Sequence, residues 1–150
     1  MKTFFAFLAI VLLFATSSIH AAEAVWLTDY EAALKKAAVE KKPLLLDFTG
    51  SDWCGWCIKL DKEVFSQPEF AAYAAQNLIL VKVDFPRQKK QPEAEKKQNA
   101  QLAEKYKIQG YPTIVVLDEH EIQIGELGYE QGGPKPWIAG LEKVIQQKGK

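Results

Sequence analysis

The chain has 150 residues, 19 Lys and Arg against 19 Asp and Glu, and 48% hydrophobic residues. That length suits one domain with a real hydrophobic core and no need of a disulfide scaffold. The formal net charge of zero offers no bulk attraction to nucleic acid or to an anionic membrane.

Lys2 followed by the apolar run Phe4 to Phe14 reads as a targeting leader, because the run is too short to span a bilayer comfortably. Small residues follow, and cleavage is expected between Ala21 and Ala24, so residues 1–22 are read as a signal peptide and 23–150 as the mature domain. No cysteine closely follows the run, which argues against lipoprotein processing. The mature protein is therefore expected in the periplasm or secreted, where disulfides persist, without stable membrane insertion.

Thr28-Asp29-Tyr30-Glu31 has the form of a capping box. Tyr30, Ala33, Leu34, Ala37 and Ala38 then mark one face of a helix that ends by Pro43. Leu44 to Thr49 reads as a buried strand, short and apolar, followed by Gly50. Next comes Asp52-Trp53-Cys54-Gly55-Trp56-Cys57, which holds the only two cysteines. Cys57, Leu60 and Val64 recur at helical spacing, so a helix runs from the motif to about Phe65. Ser66-Gln67-Pro68-Glu69 suggests a second capping box, with proline in the first turn, and a helix to about Gln76. Leu78 to Phe85 reads as a strand. Pro86 to Gln98 is charged and proline-containing, and a helix is expected from Pro92 to near Tyr106 with Leu102, Ala103 and Tyr106 inward. Ile114 to Leu117 is a β-branched strand and Glu121 to Leu127 its hairpin partner, with Ile122, Ile124 and Leu127 facing in. A final amphipathic helix carries Trp137, Ile138, Leu141, Val144 and Ile145. Helices alternating with strands, and a late hairpin, predict a mixed α/β sheet with helices on both faces.

Strand, turn, C-x-x-C and helix is the setting in which two cysteines act as a dithiol/disulfide pair. Two intervening residues let a helix-opening turn bring the sulfurs together. The unpaired N–H groups and dipole of the helix N-terminus face Cys54 and favour its thiolate, the attacking species in exchange. Zinc needs about four ligands, and His120 is the only other His or Cys after the leader, which excludes a one-chain zinc site of the usual Cys/His type. Haem attachment would need a histidine where Ile58 stands. No metal and no cofactor is called for. His120, Trp26 and Trp137 are read as a solvated turn residue and two packing residues, and the charges from Arg87 to Lys97 as a solvated face.

The chain resembles the thioredoxin superfamily, through Asp47-Phe48 before the motif, Trp53-Cys54-Gly55-Trp56-Cys57, and Tyr111-Pro112-Thr113 opening a strand. The stretch from Asp47 to Cys54 is most similar to secreted or periplasmic thioredoxin-like proteins related to protein-disulfide reductases. The resemblance implies a thioredoxin-like fold and thiol–disulfide exchange on protein substrates, with Cys54 as nucleophile and Cys57 as resolving thiol. It also implies that Asp47 takes the proton of Cys57, that Pro112 is a cis proline, and that Trp53, Gly55, Trp56 and Tyr111 border the substrate. The expected partners are disulfide or thiol proteins and a redox partner that recycles a monomeric enzyme. This chain departs from ordinary thioredoxins in the Gly-Trp between the cysteines, in one extra residue between Asp47 and Cys54, and in a longer segment from Arg87 to Asn99. A non-catalytic binding or adaptor module, or a copper-handling dithiol protein, stand as alternatives.

Overall fold

Leu44–Thr49 forms a strand, β2, buried along its whole length, and the rest of the sheet is laid against it. A computed structural model describes residues 23–147; the leader read over residues 1–22 lies outside them. Five strands, β1 (Trp26–Leu27), β2, β3 (Ile79–Asp84), β4 (Thr113–Leu117) and β5 (Gln123–Leu127), form one sheet in the order β1-β3-β2-β4-β5. β3 runs parallel to β1 and β2, while β4 is antiparallel to both β2 and β5.

Because side chains alternate along a strand, β2 feeds two cores. Leu44, Leu46 and Phe48 pack with helix α1 (Tyr30–Glu40) and helix α4 (Glu93–Lys105). Leu45 packs on the opposite face with α2 (Gly55–Leu60), α3 (Pro68–Asn77) and α5 (Pro134–Gln146). Asp47 has the parity of Leu45 and so points toward the cysteine helix. The mixed sheet with helices on both faces agrees with the sequence expectation.

Local signals misled in several places. The N-cap of α1 is Asp29, which accepts the Ala32 N–H at 2.9 Å; Thr28 is one residue too early. Ser66 does not cap α3. Its hydroxyl donates to Asp61 at 3.0 Å, and Gln67 takes the cap position without a side-chain bond. Ala38 is exposed, at the edge of the helical face drawn for it. Ile122 is 60% exposed, because the turn residue Glu121 adopts a positive φ of 67° and β5 begins only at Gln123, beside a bulge at Val116/Leu117. The edge strand β1 is too short for its alternation to be read. Among the described residues, no helix is long and apolar enough to cross a membrane.

Candidate active site

The site lies where β2 and β3 end and β4 begins. Cys54 holds the N-cap position of α2 with extended backbone (φ −86°, ψ 105°), and its sulfur accepts the Cys57 N–H at 3.2 Å. The Gly50 carbonyl receives the N–H groups of Trp53 (3.2 Å) and Cys54 (2.9 Å), a tight turn between strand and helix. Cys54 and Cys57 are joined in a disulfide with their Cα atoms 5.2 Å apart, inside the range such bonds require. Both cysteines are buried, Cys54 at 7% and Cys57 at 4% exposure. Cys54 is only marginally the more accessible, and the open neighbours are Gly55, Trp56 and Ile58. Beyond Leu60 the helix continues as a π-helical turn, Asp61–Phe65.

Trp53 is clamped on all sides. Its indole N–H donates to the Phe85 carbonyl at 2.7 Å. The Tyr111 ring meets it edge-on at 5.8 Å, and the Arg87 guanidinium covers its face at 3.8 Å. Below it lies Gly50, where an added Cβ would come within 2.4 Å of the indole. The Tyr111–Pro112 peptide is cis, and Thr113 pairs with Phe48, so Tyr111 and Pro112 share the sheet end from which the motif departs. Trp56 is 58% exposed and contacts the Tyr129 ring at 5.2 Å. Lys59 lies over both rings, and the Tyr129 hydroxyl donates to Glu63 at 2.6 Å.

Beneath the cysteines, Asp47 is 3% exposed, with no hydrogen-bond partner for its Oδ1. A cavity of about 200 Å³ lies between it and Cys57, also lined by Thr49, Asp61, Lys82 and Lys89. Burial pushes the Asp47 carboxyl up to about 7, opposed by Lys82 and aided by Asp61 and Asp84. The extra residue before Cys54 thus leaves Asp47 under the motif, not at a solvated strand end. In the turn at Gly50 and Ser51, Ser51 bonds Asp84 through its N–H (2.9 Å) and its hydroxyl (2.5 Å).

Four residues around the site were not singled out from sequence. Lys82 stands opposite Asp47 in the β2/β3 register, and pairing the two strands on paper would have found it. Asp61 follows Cys57 at i+4, the same helical face, and its carboxylate lies 3.6 Å from Lys82. Asp52 accepts three consecutive backbone N–H groups, from Arg87, Gln88 and Lys89, at 2.8–2.9 Å. Asn99, fully buried on α4, donates to the Asp84 carbonyl at 2.9 Å; both are tertiary contacts with no local sequence signal.

A family model described as thioredoxin-like matches residues 25–119. Disulfide bond reductase DsbH of Chlamydia pneumoniae is 36% identical over 131 residues, covering 87% of this chain and 78% of that protein. Thioredoxin-related protein DsbJ of the same organism is 40% identical over 111 residues, covering 72% of this chain and 32% of its own longer one. A solved DsbH oxidoreductase superposes with a TM-score of 0.81 at 36% identity, covering 89% of this chain and 92% of that one. A thioredoxin from Thermus thermophilus shares the fold, with a TM-score of 0.63 at 19% identity over 87% of this chain and 92% of its own.

Proposed function

The chain belongs to the thioredoxin-like family, and from that premise we propose that it is a protein-disulfide oxidoreductase working as a reductase outside the cytoplasm. The observation that carries the reading is the Cys54–Cys57 disulfide, closed across the first turn of α2 above the buried Asp47. The name of the relative DsbH favours the reductive direction, and the leader-like residues 1–22 favour export.

In the reduced protein the Cys54 thiolate attacks one sulfur of a substrate disulfide. A mixed disulfide forms, and the other substrate sulfur leaves as a thiolate that takes up a proton. Cys57 then gives its proton to the Asp47 carboxylate. Its thiolate attacks the Cys54 sulfur, the second substrate thiolate leaves, and the Cys54–Cys57 disulfide closes. Two electrons pass from the dithiol to the substrate, and a dithiol-bearing partner restores the reduced pair. With its carboxyl raised to about 7, Asp47 is part-ionised at neutral pH, the condition under which one group both accepts and returns a proton. The Cys57 attack is intramolecular and so gains the advantage of a pre-positioned reactant.

The test is reduction of insulin with dithiothreitol as electron source. Catalysis by the wild-type mature chain and its loss in Cys54→Ser supports the enzyme; no catalysis by the wild type favours a binding module.

A further inference from the structure

We propose that the loop 86–91 is a preset cationic docking surface beside Cys54, fitted to substrates whose reactive cysteine has acidic neighbours. The proposal rests on the disulfide-exchange reading above and names its substrate class.

The loop carries Arg87, Lys89 and Lys90, all exposed. It is held in place from within the motif: Asp52, two residues before Cys54, accepts the Arg87, Gln88 and Lys89 N–H groups at 2.9, 2.8 and 2.9 Å. Those bonds, the Arg87 one foremost, hold the Asp52 carboxyl below its ordinary range, so the clamp stays anionic at working pH. The cations are thereby fixed relative to the nucleophile. Arg87 lies 3.8 Å over the ring of Trp53, the residue preceding Cys54. Lys89 reaches the Ser51 hydroxyl at 3.3 Å and lines the cavity that holds Cys57 and Asp47.

Two neighbouring acids are ion-paired and a third, still charged, is hydrogen-bonded by neutral groups. Asp84 is bound by Ser51, Asp61 by Lys82, and Glu93 by Lys96. Among the described residues, none of the three loop cations enters an ion pair. Asp52 is the carboxylate at hand; its oxygens are taken by backbone N–H groups, and its charge attracts Lys89 without a direct ion pair. The opposite rim is more nearly neutral, because Lys59 is shared among Trp56, Tyr129 and Glu63. The three exposed cations outnumber the Asp52 and Asp84 carboxylates beside them, so the loop side of Cys54 presents a positive outer surface. An extended peptide advances about 3.3 Å per residue, so a Glu or Asp within two or three positions of the substrate cysteine comes within reach of the loop. Such complementarity acts on encounter and register and is weakened by salt.

The test uses two synthetic peptides, each closed by one disulfide and identical except that the residues flanking one cysteine are Glu in one and Lys in the other, with dithiothreitol as reductant. The wild type is expected to show a kcat/KM about tenfold higher for the Glu peptide at about 0.02 M ionic strength, falling toward unity at about 0.5 M. The variant R87Q/K89Q/K90Q should lose most of the ratio. Asp52→Asn adds a net positive charge yet releases the loop, so placement of the cations predicts a lower ratio. Equal rates for the two peptides in the wild type, an unchanged ratio in the triple variant, or a raised ratio in Asp52→Asn would each overturn the docking surface. Turnover of neither peptide would overturn the functional reading together with it.

Discussion

Asp47 on β2 and Lys82 on β3 stand directly opposite one another in the parallel ladder, on the sheet face that the cysteine helix covers. The Lys82 ammonium does not neutralise Asp47 outright. It is shared with Asp61, 3.6 Å away, and lies over the Trp26 ring at 5.1 Å. Desolvation therefore outweighs the cation, and the carboxyl rises to about 7 from an ordinary 3.8.

This shift is a stability statement. Between pH 3.8 and about 7 the folded protein keeps the Asp47 proton that the unfolded chain has lost. Stability therefore falls as pH rises across that window and levels off above it. At about 1.4 kcal/mol per unit, the total is on the order of 4 kcal/mol. Asp47→Asn lacks this slope and should be more stable than the wild type at pH 8, by about 2–4 kcal/mol, with the gap closing at acid pH. Urea unfolding of both disulfide-closed proteins at several pH values measures it; parallel pH profiles would refute the buried acid.

The two charges that flank Asp47 act on it with opposite sign. Lys82→Met should raise the Asp47 titration midpoint and Asp61→Asn should lower it, read from the carboxyl carbon resonance across pH. Shifts of the same sign in both variants would show that the Lys82–Asp61 pair does not govern this acid.

Gly50 is a contact requirement of the site. A methyl group there would overlap the Trp53 indole at 2.4 Å, with the ring already fixed by Phe85, Arg87 and Tyr111. Gly50→Ala should displace Trp53, change its fluorescence and slow exchange by about tenfold or more, as small misplacements near reacting groups do. Unchanged emission and unchanged rate would mean that the clamp is dispensable.

How much of this was legible in the sequence follows from the range of each interaction. The buried strands announced themselves because β2 and β4 are short, largely apolar runs, and Cys57, Leu60 and Val64 marked the helix by period alone. Cys54 and Cys57 were singled out by spacing, and Asp47, Tyr111 and Pro112 by resemblance alone. The caps failed by one residue because Thr28 and Asp29 have equivalent local chemistry, and only the observed bond to Ala32 separates them. Lys82, Asp61, Asp52 and Asn99 escaped because their partners lie across the register or on another element. The loop from Arg87 to Lys90 looked like a solvated run, since nothing local ties it to Asp52, 35 residues away from Arg87.

The core beneath the motif rests on a cluster of tilted and edge-on aromatic rings. Phe70 is fully buried, with ring centroids 4.9 Å from Phe65 and 5.8 Å from Trp137. Phe70→Ala should cost about 3–5 kcal/mol, read as a lower urea midpoint at unchanged slope. A loss under about 1 kcal/mol would mean that the cluster relaxes around the gap.

The central claim is the division of labour between the cysteines, and trapping measures it most directly. Cys54 sits outside the first turn of α2 with its sulfur facing the Cys57 N–H, while Cys57 lies within the turn beside the Asp47 cavity. Cys57→Ala should leave the first attack intact and block resolution, accumulating covalent, reductant-sensitive complexes with substrate proteins on non-reducing gels. Cys54→Ala should accumulate none. Equal trapping by both variants, or trapping by Cys54→Ala alone, would contradict the assignment.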